Sequence, residues 1–480
     1  MNPAQRLVKN TSVLMVSQII GYVLAFFYSI YSARYLGVEG FGVLSAALAF
    51  AGIFSILTDL GLSNLTVREV ARDHKMARKY LSNAMALKIL LSILTFILIA
   101  VLGYLSGYPQ EKSYVLYFIT LSLILNSFGG IFNAIFQAYE KMEYQSITQI
   151  LNNVMMFVGI FLAIGYQLNI VAFAFVYFAA SAFSLILTII ICLWKFIIPK
   201  IEFDFIFWKA MLIEALPIAV SGIFALIAFR VDMVMLEMIK GSVAVGWYSA
   251  AYRLMEALLF FPSMYTLSVY PLLSKFYVDS RQSLEISYYK SFKYLTIISV
   301  PIVAATTLLA PDIILLIYKS SFSESIIALQ ILIWALPFIF LSYVLGSTIV
   351  SVNKQVEVVR ITFITMIINI GLNLVLIPSW GFIGAACVTV ITEIALFISY
   401  FYIVTRHVCF ISPRKVLVKP VVASLVMCAF LVLVQTNLFL EIGLATVIYF
   451  AVLFIIKGFS QDDINILKRV LGMENRNEMV

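Results

Sequence analysis

From Ser12 to Ile456 the chain alternates apolar stretches of about 20 residues with short polar connections. A helix rises about 1.5 Å per residue, so each stretch can cross a hydrocarbon core about 30 Å thick. In lipid, every backbone N–H and C=O must be bonded internally, which leaves helix as the conformation of such runs. About fourteen spans are expected, at 12–33, 43–65, 84–106, 114–138, 147–166, 170–193, 212–236, 246–272, 292–310, 325–350, 359–377, 381–404, 417–435 and 438–456. Charged residues make up 12% of the chain, against about 25% in soluble domains, so a soluble fold is excluded. The first span follows Arg6 and Lys9, is too long for the core of a signal peptide and lacks a small-residue cleavage site, so it is expected to be retained.

Lys and Arg are distributed unevenly between alternate loops. With both termini on one side, that side carries twenty-five of them; the other has Arg34, Lys112, Lys240 and Lys319. The positive-inside rule then places both termini in the cytoplasm of a multi-pass plasma-membrane protein. The net charge of +8 follows from this topology and calls for no nucleic-acid partner. Cys192, Cys387, Cys409 and Cys428 show neither a disulfide framework nor zinc spacing. His74 and His407 are the chain's only histidines and fall in loops, so no metal site, cofactor or Ser/His relay is expected. Arg68, Arg72, Lys75 and Lys79 recur at helical spacing and predict one basic stripe on a surface-lying helix. In the tail, Ile464, Leu467 and Leu471 fall on one face of a short interfacial helix.

An internal repeat accompanies the span pattern. At an offset of 204, Gly42, Ser45, Ala46 and Ala47 match Gly246, Ser249, Ala250 and Ala251; at 213, "NIVAFA" from Asn169 matches "FIGAAC" from Phe382. Each pair opens corresponding spans of two six-span blocks. Six is even, so the blocks run in the same sense, related by an axis along the membrane normal. The chain is therefore expected to be an all-α polytopic membrane protein with two six-helix lobes, 1–205 and 206–410, and two extra helices with a tail in 411–480. Such lobes hold a site between them near the midplane.

Charge inside a membrane is costly and is spent on pairs or aqueous cavities. The candidates are Asp59, Lys88, Arg230, Asp232, Glu237, Arg253, Glu256 and Glu393. Arg230 and Glu237 share a face of the seventh span, and Arg253 and Glu256 share one of the eighth. Guanidinium forks match phosphate oxygens, so Arg230 and Arg253, with Glu256, are candidate substrate ligands. Lys88, one turn into the third span, either snorkels or anchors the same phosphate. Asp59, Glu237 and Glu393 are candidates for a coupling ion. Asp232 points away from Arg230 and is expected to cap or pair elsewhere. Asn152, Asn153, Asn369 and Asn373 suit interhelix hydrogen bonds.

Two stretches, "NTSVLMVSQIIGYVLAFFYSIYSARYLGVEGFGVLSAALAFAGIFSILTDLGLSNLTVREVAR" from Asn10 and "FRVDMVMLEMIKGSVAVGWYSAAYRLMEALLFFP" from Phe229, resemble the oligosaccharide flippases of the polysaccharide biosynthesis protein family, O-antigen type. The resemblance implies a fourteen-helix transporter of the multidrug, oligosaccharidyl-lipid and polysaccharide exporter class. Such a protein moves polyprenyl-pyrophosphate-linked oligosaccharide from the cytoplasmic to the outer leaflet by alternating access; membrane lipids are its neighbours, and H+ or Na+ is a candidate coupling ion. It also implies that Arg230 and Arg253 face pyrophosphate and sugar, and it brings Asp59, Arg68 and Arg72 into the first-lobe pattern. Lipid II flippases, a related reading, carry a cation within the first helix, whereas here the first cation after Ser12 is Arg34, at the outer end. A cation-coupled drug exporter of the same fold would need an acidic cavity. A membrane polymerase or glycosyltransferase would need a large catalytic outer loop, which short connections of about a dozen residues do not provide.

Overall fold

The computed structural model describes residues 3–461 and 463, apart from 201 and 435; the tail positions Ile464, Leu467 and Leu471 lie outside the described residues. The α-helices run α1 Pro3–Ser55, α2 Leu62–Arg72, α3 Ala77–Leu105, α4 Gln110–Ala138, α5 Met142–Gly165, α6 Ile170–Lys195, α7 Phe205–Lys240 and α8 Ser242–Leu258. They continue with α9 Phe260–Asp279, α10 Arg281–Tyr318, α11 Ser325–Leu332, α12 Leu336–Ser351, α13 Gln355–His407, α14 Pro413–Leu433 and α15 Leu438–Ile455.

Among the described residues, eleven helical stretches are long and apolar enough to cross a membrane, and α7, bent by 65° between Phe205–Pro217 and Gly222–Lys240, makes twelve. Pro217 sits at that bend, where it lacks the N–H for the ladder and crowds the preceding turn. Two stretches, Ser12–Thr58 and Gln355–His407, are 47 and 53 residues long. Each is broken by a non-helical glycine, Gly37 (φ 67°, ψ −175°) and Gly381 (φ 55°, ψ −132°), and so contributes two spans, which brings the number to fourteen.

The repeat is written into the backbone. Gly241, 204 residues after Gly37, has nearly the same angles, φ 79° and ψ 178°, a combination that strongly favours glycine. Glu140 (φ 55°) and Asn353 (φ 59°) repeat at 213, and Gln167 (φ 53°) and Gly381 at 214. Gly42 and Gly246 are also equivalent by offset, and they meet. A Cβ on Gly42 would lie 1.8 Å from the Ser242 carbonyl oxygen, and one on Gly246 would lie 2.1 Å from that of Val38. Val38 and Ser242 are themselves 204 apart, so the contact is reciprocal and obeys the pseudo-two-fold.

By contact, the chain forms two compact units. The first comprises 1–257, 317–328 and 356–392; one of its cores joins α2, α3, α4 and α7 through Leu65, Leu81, Phe132, Phe136 and Trp208. The second comprises 258–316, 329–355 and 393–480, and packs Ile297 and Leu309 of α10 against Met427 of α14 and Tyr449 of α15.

Two local expectations are corrected. The basic stripe is not one helix: α2 ends at Arg72 because Asp73 turns extended (φ −143°, ψ 102°) and its carboxylate accepts from the Lys75 N–H at 2.9 Å. Lys75 therefore lies in a separate turn and Lys79 in α3. The second span closes earlier than 65, at Ser55. Leu60 (φ 45°) and Gly61 (φ 84°) reverse the chain there and leave Asp59 on a turn.

Candidate functional site

Arg230 on α7 and Arg253 on α8 converge on one carboxylate. Arg230 Nη2 donates to Glu256 Oε1 at 3.1 Å and Arg253 Nη1 donates to Oε2 at 3.5 Å. The latter pair is set by α8 itself, since i and i+3 share a face. The three side chains remain 22%, 31% and 24% exposed, so the cluster is open to a ligand rather than sealed. Two cations on one anion leave a formal charge of +1. The Arg230 guanidinium carbon lies 5.0 Å from the Phe229 ring centre. Tyr28, Tyr177 and Tyr318, on three further helices, lie close enough to act electrostatically on Arg253.

The partner expected for Arg230 on its own helix, Glu237, is engaged elsewhere. Glu237 Oε1 takes Lys112 Nζ at 3.1 Å and the Ser242 hydroxyl at 2.8 Å, while Lys112 also donates to that hydroxyl at 2.7 Å. Glu237 Oε2 is buried without a hydrogen-bond partner among the described residues, beside a cavity of about 20 Å³ that Tyr108 and Lys112 also line. That volume admits one water.

Lys88 does not snorkel. It is fully buried, 2.5 Å from Asp59 Oδ1, and donates to the Ser127 carbonyl at 2.6 Å, to Ser127 Oγ at 3.1 Å and to Ser63 Oγ at 3.4 Å. Ser63 in turn donates to Asp59 at 2.5 Å. An ammonium has three protons, and all are committed here. The structure thus brings together two residues that the sequence offered for separate roles, and ties the turn after α1 to α3 and α4.

A further polar network crosses α7, α8 and α13. Buried Asp232 accepts from the Tyr248 hydroxyl and from the Met233 N–H at 2.7 Å; Tyr248 meets Thr389 Oγ1 at 3.0 Å. One turn away, Asn373 donates to Asn369 at 2.9 Å and Asn369 to Thr392 at 3.3 Å, so Asn369 bonds across to the second segment of α13, whereas Asn153 donates within its own helix to the Gln149 carbonyl at 2.9 Å. Glu393 is half-buried and has neither hydrogen bond nor ion pair among the described residues. Nor do the described residues contain a cluster of three His, Cys, Asp or Glu side chains that could hold a metal ion.

Sequence reasoning missed Lys112, Ser127 and Tyr248. Lys112 looked like one of four loop cations on its side, and Tyr248 stood among 26 tyrosines with nothing to single it out.

Among curated relatives, a capsular polysaccharide biosynthesis protein of Staphylococcus aureus is 22% identical over 407 residues, covering 83% of this chain and 100% of its own. A probable low-salt glycan biosynthesis flippase of Haloferax volcanii is 22% identical over 392 residues, covering 80% and 81%. Among solved structures, the lipid II flippase MurJ in its inward closed conformation superposes with a TM-score of 0.80 at 18% identity, over 93% of this chain and 99% of that one. An inward-facing multidrug resistance MATE family transporter of the MOP superfamily gives 0.64 at 17% identity, over 80% and 94%. At these identities the structural likeness establishes the two-lobed helical fold. A family model named MatE matches residues 217–375. A model described as polysaccharide biosynthesis protein matches residues 7–277, more than half of the chain, and the chain belongs to the polysaccharide biosynthesis protein family.

Proposed function

We propose that this multi-pass membrane transporter moves a polyprenyl-pyrophosphate-linked oligosaccharide from the cytoplasmic to the outer leaflet by alternating access. Both termini stand in the cytoplasm of a plasma-membrane protein, and the lobes divide as 1–205 and 206–410, with 411–480 appended. The observation that carries the reading is the open cluster of Arg230, Arg253 and Glu256. Its charge is positive and its donors are planar forks, which together suit a pyrophosphate. Glu256 is the resident counter-ion that the pyrophosphate displaces. Lys88 with Asp59 acts as a clasp near the inner end. Glu393 is the carboxylate left for H+ or Na+, since Asp59 is engaged by Lys88 and Glu237 by Lys112.

A net positive cluster repels cationic drugs, which disfavours a multidrug exporter of the same fold. The absence of a cation in the first span before Arg34 disfavours lipid II as cargo. The test is export. Arg230→Gln and Arg253→Gln are expected to halt surface polysaccharide and to leave lipid-linked oligosaccharide on the cytoplasmic leaflet while the protein still reaches the membrane. Normal export from both variants refutes the site.

A further inference from the structure

The ends of the two halves farthest from the basic loops differ in a way their repeat does not require. In the first half, the turn at Gly37 and the turn at Gln167 are zipped together. Leu36 packs with Val43 and Ile170 in one apolar cluster, and the Tyr35 hydroxyl donates to the Leu168 carbonyl at 3.0 Å. In the second half, the turns at Gly241 and Gly381 occupy the equivalent places. There the offset of 204 replaces Tyr35 by Ile239, which has no hydroxyl to donate, Leu36 by Lys240 and Val43 by Trp247. That pair meets through Trp247 and Phe382 instead, and carries a broad, shallow cleft of about 810 Å³ lined by Lys240, Trp247, Ser379, Trp380 and Phe382. Its volume lies within the roughly 300–1,000 Å³ typical of small-molecule sites.

The lining is of two kinds. Trp247 and Phe382 form one aromatic wall, their ring centroids 5.5 Å apart, and Trp380 stands 57% exposed. Lys240 brings ammonium donors and Ser379 a hydroxyl. A sugar ring has the same division: apolar C–H faces that lie on aromatic rings, and an equatorial belt of hydroxyls that needs donors and acceptors. Aromatic residues that only anchor a helix at the headgroup level do not need a concave setting between two turns.

We infer that this cleft is a saccharide-binding subsite, which holds a pyranose unit of the transported glycan at the outer face. The inference rests on the flippase reading for its ligand but uses residues outside the arginine cluster, so the two can fail separately.

The test uses the full-length protein in nanodiscs and two probes: inorganic pyrophosphate, and the lipid-free glycan released by mild acid from the host's own lipid-linked pool. Saturation-transfer NMR and titration are expected to show both bound. Trp380→Ala is expected to weaken the glycan about tenfold, equal to about 1.4 kcal/mol, and to leave pyrophosphate unchanged. Arg230→Gln is expected to do the reverse. Lys240→Gln, on an exposed side chain, repeats the glycan test should Trp380→Ala misfold. Glycan binding that survives both cleft variants overturns the inference, as does wild-type protein that binds pyrophosphate but no glycan. Binding that follows vesicle lipid composition instead of glycan also overturns it, since the cleft would then be a headgroup contact. Pyrophosphate binding that ignores both arginines overturns the flippase site and leaves the cleft standing.

Discussion

Gly246→Ala tests the crossing of α1 and α8 at its tightest point. The added Cβ would stand 2.1 Å from the Val38 carbonyl oxygen and 2.9 Å from its carbon, and both are backbone atoms that cannot rotate away. Real Cβ contacts do not fall below 3.0 Å, so the helices must part by about 1 Å, at the roughly 1–3 kcal/mol that overpacking costs. Because the contact is reciprocal, Gly42→Ala meets the Ser242 carbonyl oxygen at 1.8 Å and is expected to do as much or more. In an alternating transporter this crossing closes the end away from the basic loops, and the opposite state must separate it. A penalty of about 2 kcal/mol on the closed arrangement shifts the balance toward the open one about thirtyfold. The assay is a cysteine at Tyr28, beside Arg253, labelled from outside by a membrane-impermeant maleimide. Faster labelling in Gly246→Ala, with a melting temperature lowered by a few degrees, is expected. Unchanged labelling and melting would show that the helices yield without cost and that the crossing is no gate.

The remaining predictions address the charges. Glu256→Gln removes the counter-ion from both arginines and is expected to bind inorganic pyrophosphate about tenfold more tightly, read by titration calorimetry; weaker binding would mean the carboxylate orients the forks instead of competing for them. Lys88→Met strands Asp59 beside an apolar chain and is expected to cost about 3 kcal/mol in thermal unfolding, the lower end for broken buried pairs because Asp59 is 29% exposed. Adding Asp59→Leu is expected to restore most of that loss. Asp463, beyond the last span, is pushed up by burial, but donors from Lys293 at 2.5 Å, Tyr294 at 2.6 Å and the Ser460 N–H at 2.8 Å hold its carboxyl well below the usual range. A depressed carboxyl stabilises fully above its unfolded value near about pH 4 and loses that contribution as pH falls toward its folded value. Hydrogen exchange at Ser460 and Asp463 is therefore expected to stay slow at pH 6 and to rise below about pH 4; Asp463→Asn is expected to exchange fast at both.

Span number and order were legible because hydrophobic length is a local property, and the repeat because small residues recur where the helices meet closely. The offset of 204 found at Gly42 and Gly246 recurs as a backbone angle at Gly37 and Gly241 and as a steric contact between the helices. Charge pairing was harder to read. Helical spacing joins Arg253 to Glu256 but says nothing of partners on other helices, so it offered Glu237 to Arg230 while the fold gives Glu256 to Arg230 and Lys112 to Glu237. The basic stripe failed for a related reason. A periodic pattern survives a break in the helix, and one capping aspartate, Asp73, was enough to end it.

The pairing has a consequence for coupling under the proposed function. Lys88, Lys112, Arg230 and Arg253 each sit on a carboxylate, so every one of these cations within or beside the spans is at least partly neutralised before cargo arrives. A pyrophosphate that enters the arginine cluster must displace Glu256, and a freed carboxylate in a low-dielectric interior is costly. The system relieves that cost by taking up a proton at Glu256 or by placing a cation on a carboxylate that lacks a basic partner. Glu393 is such a carboxylate, having no ion pair among the described residues. Transport and ion movement are then linked by charge balance alone, with no need for a dedicated relay: a pyrophosphate brings more negative charge than the one unmatched positive charge of the arginine cluster balances, and the excess has to be compensated before the two halves can rock.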